Sequence, residues 1–206
     1  IRTQIGWSSE TKAFIWTAIV SEKIRNQSIH LKMLGHDDEA EMLNGYIAEM
    51  ELNFVTNREG HAANVYFNAL FGQCFSRNND NSMNAALNYG YSLILSAVNR
   101  EVCACGYLTQ IGLFHDNMFN YYNLSCDLME PFRIIVDRLV AKKRYTSFGT
   151  EEKHELIRLF ETQVIIAGQE QYLQNAIKIY CRSVFDALNG NDSSLIRFFR
   201  FCGDEV

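Results

Sequence analysis

Proline occurs once in this chain, at Pro131, and apolar residues recur at helical spacing along most of its length, so helices must dominate the fold. Strands need alternation of apolar and polar side chains, and little of this sequence alternates. The expected class is all-α, a multi-helix lobe built around a central buried helix. A chain of 206 residues, 48% of them hydrophobic, can enclose one sizeable core. Residues 1–206 therefore read as a single helical domain, with 1–8 as the remnant of an interdomain linker and 192–206 as a C-terminal tail.

The chain opens at Ile1 without a methionine, and no basic segment leads into an apolar one, so no signal peptide is expected and the start reads as a cut. The longest apolar stretch, Tyr89 to Tyr107, is broken by Asn99, Arg100 and Glu101, which argues against a membrane span. Cys74, Cys103, Cys105, Cys126, Cys181 and Cys202 show no CxxC spacing and read as reduced core thiols of a cytoplasmic protein. A net charge of −5 argues against blanket nucleic-acid binding, but charge is unevenly placed. Residues 37–51 hold six acids and no base, whereas residues 133–144 hold five bases and one acid, which predicts an acidic end and a basic end.

The first long helix is expected from an N-cap at Ser8 or Ser9 to Gly35, with Lys23 and Gln27 neighbours on one face. A second follows His36, with Asp38 and Glu41 spaced as a capping box. A third begins near Asn57 and aligns Glu59 with Ala63, Tyr66 and Leu70, which turns a carboxylate towards the core, where it needs a partner. Ser82 is expected to cap the central helix, which closes at Gly106 and carries Asn84 and Asn88 near its start. A further helix is expected from about Ser125, kinked by Pro131 or carrying it in its first turns. Thr150 caps a helix running to Ile166, another runs from Glu170 to Asn189, and SLIRFFRF makes a final basic, aromatic turn that either docks a partner or caps the bundle.

His115, Asp116, Asp127, Glu130, Arg133 and Asp137 stand close together among apolar neighbours. A hard divalent cation takes oxygen ligands with an occasional imidazole, and a phosphate beside it takes an arginine. Each of these residues alone also reads as a hydrogen-bonded polar group between helices.

Four linked motifs carry a resemblance: REGHAANVYF at 58–67, NxxLNYGY at 84–91, GxxxxIGLFHDN at 106–117 and DLMEPFRxxVD at 127–137. In order and spacing they resemble CRISPR-associated protein one, the integrase of spacer acquisition in antiviral defence, and most of all its type II members. The resemblance implies the helical catalytic lobe of a two-domain parent, without its N-terminal β-domain. It implies a metal-dependent DNA endonuclease and integrase that joins the 3′-hydroxyl of captured DNA to a CRISPR repeat by transesterification. By motif, Glu59, His115 and Glu130 are the implied catalytic ligands of magnesium or manganese. Arg77, Arg133, Lys142, Lys143 and Arg144 are candidates for DNA phosphates, while Asn84, Asp127 and Asp137 would support the site from behind. Arg133 equally suits an ion pair with Asp137. The implied partners are double-stranded DNA (protospacer and CRISPR repeat), a second copy in the full-length protein and CRISPR-associated protein two. In type II systems the effector nuclease and an accessory adaptation protein are added to these.

Two other readings stand beside it. The doublets His36-Asp37 and His115-Asp116 in a helical chain also occur in HD-type metal-dependent phosphohydrolases, although that reading leaves DLMEPFR without a role. A catalytically idle helical scaffold that binds DNA or a protein is the other.

Overall fold

The computed structural model describes residues 2–50 and 58–203, and helices make up most of them. A single turn, α1 (Arg2–Ile5), leads to α2 (Ser9–Met33), which starts where the Ser8 hydroxyl accepts the Thr11 N–H at 3.0 Å and ends before Gly35 at φ 81°. Then come α3 (Asp37–Ala48), α4 (Arg58–Phe71) and α5 (Ser82–Ala104). Next are α6 (Asn123–Met129), a 3-10 turn at Glu130–Phe132 that holds Pro131, and α7 (Arg133–Lys143). The last two are α8 (Thr150–Ile157) and α9 (Leu173–Gly190). Proline sits early in its tight turn, where its missing N–H costs nothing, and so joins α6 to α7 rather than kinking one long helix.

Several helix starts differ from expectation. Asn81, not Ser82, caps α5: its side chain accepts the Asn84 N–H at 2.8 Å, and the Ser82 hydroxyl instead donates to the Thr146 carbonyl. Thr150 lies inside α8, whose N-cap Gly149 donates its N–H to the Glu152 carboxylate at 2.6 Å. At α3 no side chain caps the helix, so Asp38 and Glu41 form no capping box; Asp37, Asp38 and Glu39 fill the first turn, where the helix dipole favours acids. The helix expected near Ser125 begins at Asn123, and the expected start at Asn57 lies outside the described residues.

The larger correction is a small antiparallel sheet where helices were expected. β1 (Gln163–Ile166) pairs with β2 (Gln169–Tyr172), and β3 (Arg200–Phe201) pairs on the other edge of β1. Val164 and Ile166 point inwards while Gln163 and Ile165 point out, the period of a strand. Ala167 and Gly168 both take positive φ, 51° and 76°, the backbone of a tight hairpin turn.

Two helices form the centre. On α5, Ala86, Leu87, Gly90, Tyr91, Ile94, Ala97, Val98 and Val102 are buried as one stripe, and Gly90 lets Val136 of α7 approach its backbone. α2 is buried on nearly all sides, packing on α3, α4, α6, α7, α9 and the 3-10 turn. Its buried set includes Glu22, Asn26, Gln27 and His30 beside Ile15, Trp16, Ile19, Val20, Ile24 and Leu31, which makes it a carrier of interior polar groups. Segments near both ends of the described residues are fastened to this core. The buried Gln4 amide bonds to the backbone of Leu108 and Ile111, and Phe199, also buried, stacks on Phe132 at 5.0 Å, so the basic aromatic segment caps the bundle. Among the described residues no helix is long and apolar enough to cross a membrane.

Candidate functional site

The site begins with Lys23, midway along α2. Its ammonium lies 2.8 Å from Glu59 Oε1, on the first turn of α4, and 2.5 Å from Glu130 Oε2, in the 3-10 turn. Burial alone would lower the Lys23 pKa, but the charges of Glu130 and Glu59 outweigh it and raise it. Glu130 is almost wholly buried, and its other oxygen accepts from Arg133 Nε at 2.8 Å. Burial would raise its pKa; Arg133 and then Lys23 reverse this and bring it down to about 2. Arg133 therefore forms its ion pair with Glu130, three residues away, while its charge still reaches Asp137 at longer range.

His115 enters from the loop between α5 and α6, and Asp127 of α6 fixes that loop. The buried Asp127 carboxylate accepts backbone N–H groups from Leu113 (2.6 Å), Phe114 (3.2 Å) and His115 (3.2 Å), and meets His115 Nδ1 at 2.6 Å. Gly112 makes this possible, because a Cβ there would run into the His115 carbonyl and lie 2.7 Å from Asp127 Oδ2. The hydrogen bond to Asp127 is the largest cause of the raised His115 pKa, against burial, with the charges of Asp127, Glu130 and Glu59 adding to it. His115 thus lies within electrostatic reach of both glutamates, and its ring stands edge-on to Trp16 of α2 at 5.8 Å. An imidazole that donates through Nδ1 to a carboxylate keeps a lone pair on Nε2.

The supporting residues separate into two groups. Asp127 supports His115 directly. Asn84 supports Arg77, accepting from its guanidinium while its amide donates to the carbonyls of Ser76 and Asn79 at 2.8 Å each. Arg77 also donates to Asn88 at 2.6 Å. Tyr91 lies between the arginines, its ring centroid 5.4 Å from Arg77 and 4.6 Å from Arg133, and its hydroxyl donates to Asp137. Burial pushes the Asp137 pKa up to about 7, the Tyr91 hydrogen bond and Arg133 acting against it. Arg77 and Arg133 are thereby brought onto one aromatic ring beside the glutamates.

The three basic residues at the end of α7 behave differently from one another. Lys143 is paired with Glu155 of α8. Lys142 and Arg144 line a cavity of about 670 Å³ together with Arg138, His30 and His36. His36 directly precedes the acidic first turn of α3, so the acidic segment starts at the rim of this basic cavity rather than at an opposite end. His36 itself is half exposed, 3.9 Å from Glu39, and among the described residues no upstream His and downstream Asp converge on either doublet as the phosphohydrolase reading requires.

Lys23 and Tyr91 belong to the site although the sequence motifs mark neither as a site residue. The signal for Lys23 was its place on a polar stripe with Asn26, Gln27 and His30 in a helix otherwise apolar enough to be buried all round. The donors present, two carboxylates and an imidazole, suit magnesium or manganese. Glu130 Oε2 is buried without an aligned hydrogen bond and relies on an ion pair, the condition of an oxygen that accepts a cation. Among the described residues, however, no three His, Cys, Asp or Glu side chains gather at one point; the Lys23 ammonium stands between the glutamates.

Comparison with known proteins identifies the family. Residues 1–155 match the family model described as CRISPR associated protein Cas1. The chain belongs to the Cas1 family. It is 39% identical over 140 residues to a CRISPR-associated endonuclease Cas1 of Neisseria meningitidis serogroup C, covering 68% of this chain and 46% of that protein. A second relative, a Cas1 endonuclease of Francisella tularensis subsp. novicida, is 28% identical over 186 residues, with 78% and 58% covered. The chain thus spans about half the length of the curated relatives it matches. A Cas1 protein structure from Thermotoga maritima shares the fold at TM-score 0.77 and 18% identity, over 92% of this chain and 70% of that one. A casposase bound to integration product does so at TM-score 0.76 and 17% identity, over 94% and 70%.

Proposed function

We propose that this Cas1 lobe is the catalytic part of a metal-dependent DNA endonuclease and integrase of CRISPR adaptation, with Glu59, His115 and Glu130 as the metal ligands. The observation that carries the reading is one cation held between two carboxylates from separate elements, with an imidazole fixed by Asp127 alongside. A magnesium or manganese ion in this position would polarise a phosphoryl oxygen and steady the charge on the attacking and leaving oxygens of transesterification. The chain's own residues do the rest. Asp127 holds the His115 ring in one tautomer, and Arg133 neutralises the second oxygen of Glu130, so the carboxylate stays ionised in a buried setting. Arg77 and Arg133, arrayed on Tyr91, suit the backbone phosphates of a DNA strand laid across the site.

The relatives' names as endonucleases support the reaction class, two neighbours of like fold described as Cas6-RT-Cas1–Cas2 complexes support Cas2 as a partner, and the casposase bound to integration product supports double-stranded DNA as the other. Whole-length features, including pairing of two copies, the CRISPR repeat as target and any type II effector or accessory protein, belong to the same proposal. A second reading is favoured by one feature: Lys23 already neutralises the glutamates, so the cluster can serve as a purely structural ion-pair network in a helical scaffold.

Manganese titration followed by thermal denaturation separates the two. Ligand binding to the folded state raises the melting temperature by mass action, by about 2.7 kcal/mol of stability at a hundredfold excess over Kd. The integrase reading expects a rise in the parent that is lost in Glu59→Ala, His115→Ala and Glu130→Ala. A parent that does not respond, or variants that respond equally, would give the scaffold reading the lead.

A further inference from the structure

The cavity of about 670 Å³ at the end of α7 shares no lining residue with the cluster of Lys23, Glu59 and Glu130. Ile135, Arg138, Leu139 and Lys142 recur at helical spacing, so a single stripe of α7 gives its wall both apolar surface and cations. Leu70 of α4 continues the apolar surface, and Met33 and Leu34, where α2 ends, line it while 54% and 49% exposed.

Helix-end electrostatics accounts for part of this arrangement. Lysines in the last turn of α7 favour the negative end of its dipole, whatever else they do. That does not account for Arg138, in the middle of the helix, or for Arg144, which closes it in a left-handed backbone at φ 48° that few residues other than glycine adopt. Arg138 is also held in place. Its guanidinium carbon lies 3.8 Å from the centre of the Phe201 ring, and its Nη2 meets Met33 Sδ at 3.6 Å. A guanidinium oriented in this way loses less freedom when it takes up a ligand. His30 beside it stays neutral: burial, and then the charge of Arg138, bring its pKa down to about 4, and its Nδ1 is engaged by the Tyr66 hydroxyl at 2.8 Å.

These groups select a class of ligand. Two guanidiniums and an ammonium suit a tetrahedral dianion better than a singly charged carboxylate, and the guanidinium fork matches phosphate oxygens. The volume falls among those of pockets that enclose a small organic molecule, roughly 300–1,000 Å³. An inorganic ion would leave the apolar wall wet, whereas an apolar substituent on the phosphate would cover it. A DNA duplex presents singly charged phosphodiesters on a convex, polar backbone and leaves the same wall uncovered.

We propose that this cavity binds a small organic phosphate monoester, with its phosphate on Arg138, Lys142 and Arg144 and its apolar substituent against Leu34, Leu70 and Leu139. Binding here requires no divalent ion, which separates it from the metal chemistry proposed for Glu59, His115 and Glu130.

Calorimetric titration of this chain with phenyl phosphate, in a phosphate-free buffer containing a chelator, tests it. The parent binds phenyl phosphate saturably at one site, and inorganic phosphate about tenfold more weakly because it covers no apolar surface. Lys142→Ala/Arg144→Asn, two exposed positions whose loss leaves the core intact, weakens both ligands by about tenfold or more, and Arg138→Met does the same. Leu34→Ala weakens phenyl phosphate about fivefold and leaves inorganic phosphate unchanged, a split that a general loss of fold would not produce. No saturable binding by the parent overturns the proposal, as does unchanged affinity in Lys142→Ala/Arg144→Asn. Equal affinity for phenyl and inorganic phosphate also overturns it, leaving a basic surface that collects ions. So does displacement of phenyl phosphate by a blunt duplex, which would assign this end of α7 to a DNA backbone instead.

Discussion

Glu59 and Glu130 face one ammonium, and Arg133 closes the far side of Glu130, so the cluster balances two negative charges with two positive ones before any ion arrives. Lys23 is then a competitor for the place a divalent ion would take. Replacing it by methionine, which keeps most of the stem's volume, leaves Glu59 without its partner and Glu130 dependent on Arg133 alone. Breaking a buried pair from one side is costly, and with Arg133 remaining the expected loss for Lys23→Met is about 2 kcal/mol without divalent ions, or roughly 4–8 °C in melting temperature. If manganese binds between the glutamates as proposed, Lys23→Met is expected to show a larger thermal rise than the parent, because the ion would no longer have to displace an ammonium. A smaller rise would mean that the lysine supports the ion site instead of competing for it. Sequence alone made Glu59 conspicuous, as an acid on an apolar face, and marked Glu130 by its place beside the only proline. It concealed Lys23, because a lysine on a long helix is ordinarily solvated, and only α4 and the 3-10 turn folding onto α2 remove that water.

At the scale of elements, α5 lets α7 approach closely at Gly90. A Cβ on Gly90 would fall inside van der Waals contact of Val136 Cγ1, a branch on the fully buried face of α7. Gly90→Ala gains helix propensity but must push α7 away, and overpacking of this kind costs about 1–3 kcal/mol. The expected result is a lower urea midpoint at unchanged slope, with most of the loss recovered in Gly90→Ala/Val136→Ala; no recovery would place the strain elsewhere. The long helices were readable because their apolar stripes repeat over many turns. What misled was local: at 163–172 a run of β-branched residues continues an apolar pattern that helices also produce. The turn at Ala167–Gly168 carries only one glycine to announce it, and β3, which completes the sheet, comes from far along the chain. The cap positions shifted by one residue for a similar reason, since Asn81 next to Ser82 and Gly149 next to Thr150 are adjacent acceptable starts that only geometry separates.

Across the whole molecule the charge segments are interleaved, not opposed. The acidic turn of α3 adjoins the cavity lined by Arg138, Lys142 and Arg144, and Glu155 of α8 takes up Lys143. A basic run of sequence therefore does not act as one patch: Lys142 and Arg144 line the cavity, while Lys143 is paired with Glu155. If this end of the lobe follows a DNA backbone, each released counterion contributes about one unit to the dependence of log affinity on log salt. Lys142→Ala/Arg144→Asn, with asparagine chosen because Arg144 holds a left-handed backbone at φ 48°, should weaken binding to every duplex sequence tested and reduce the salt slope by about 2. Lys143→Ala should change the slope by well under one unit, because the carboxylate it leaves behind repels a phosphate that the neutralised pair had ignored, lowering affinity without a counterion being at stake. Affinity measured from low to moderate salt on the parent and both variants decides it. Equal slopes in all three would move the DNA path away from α7 and leave Arg77 and Arg133 as the phosphate contacts.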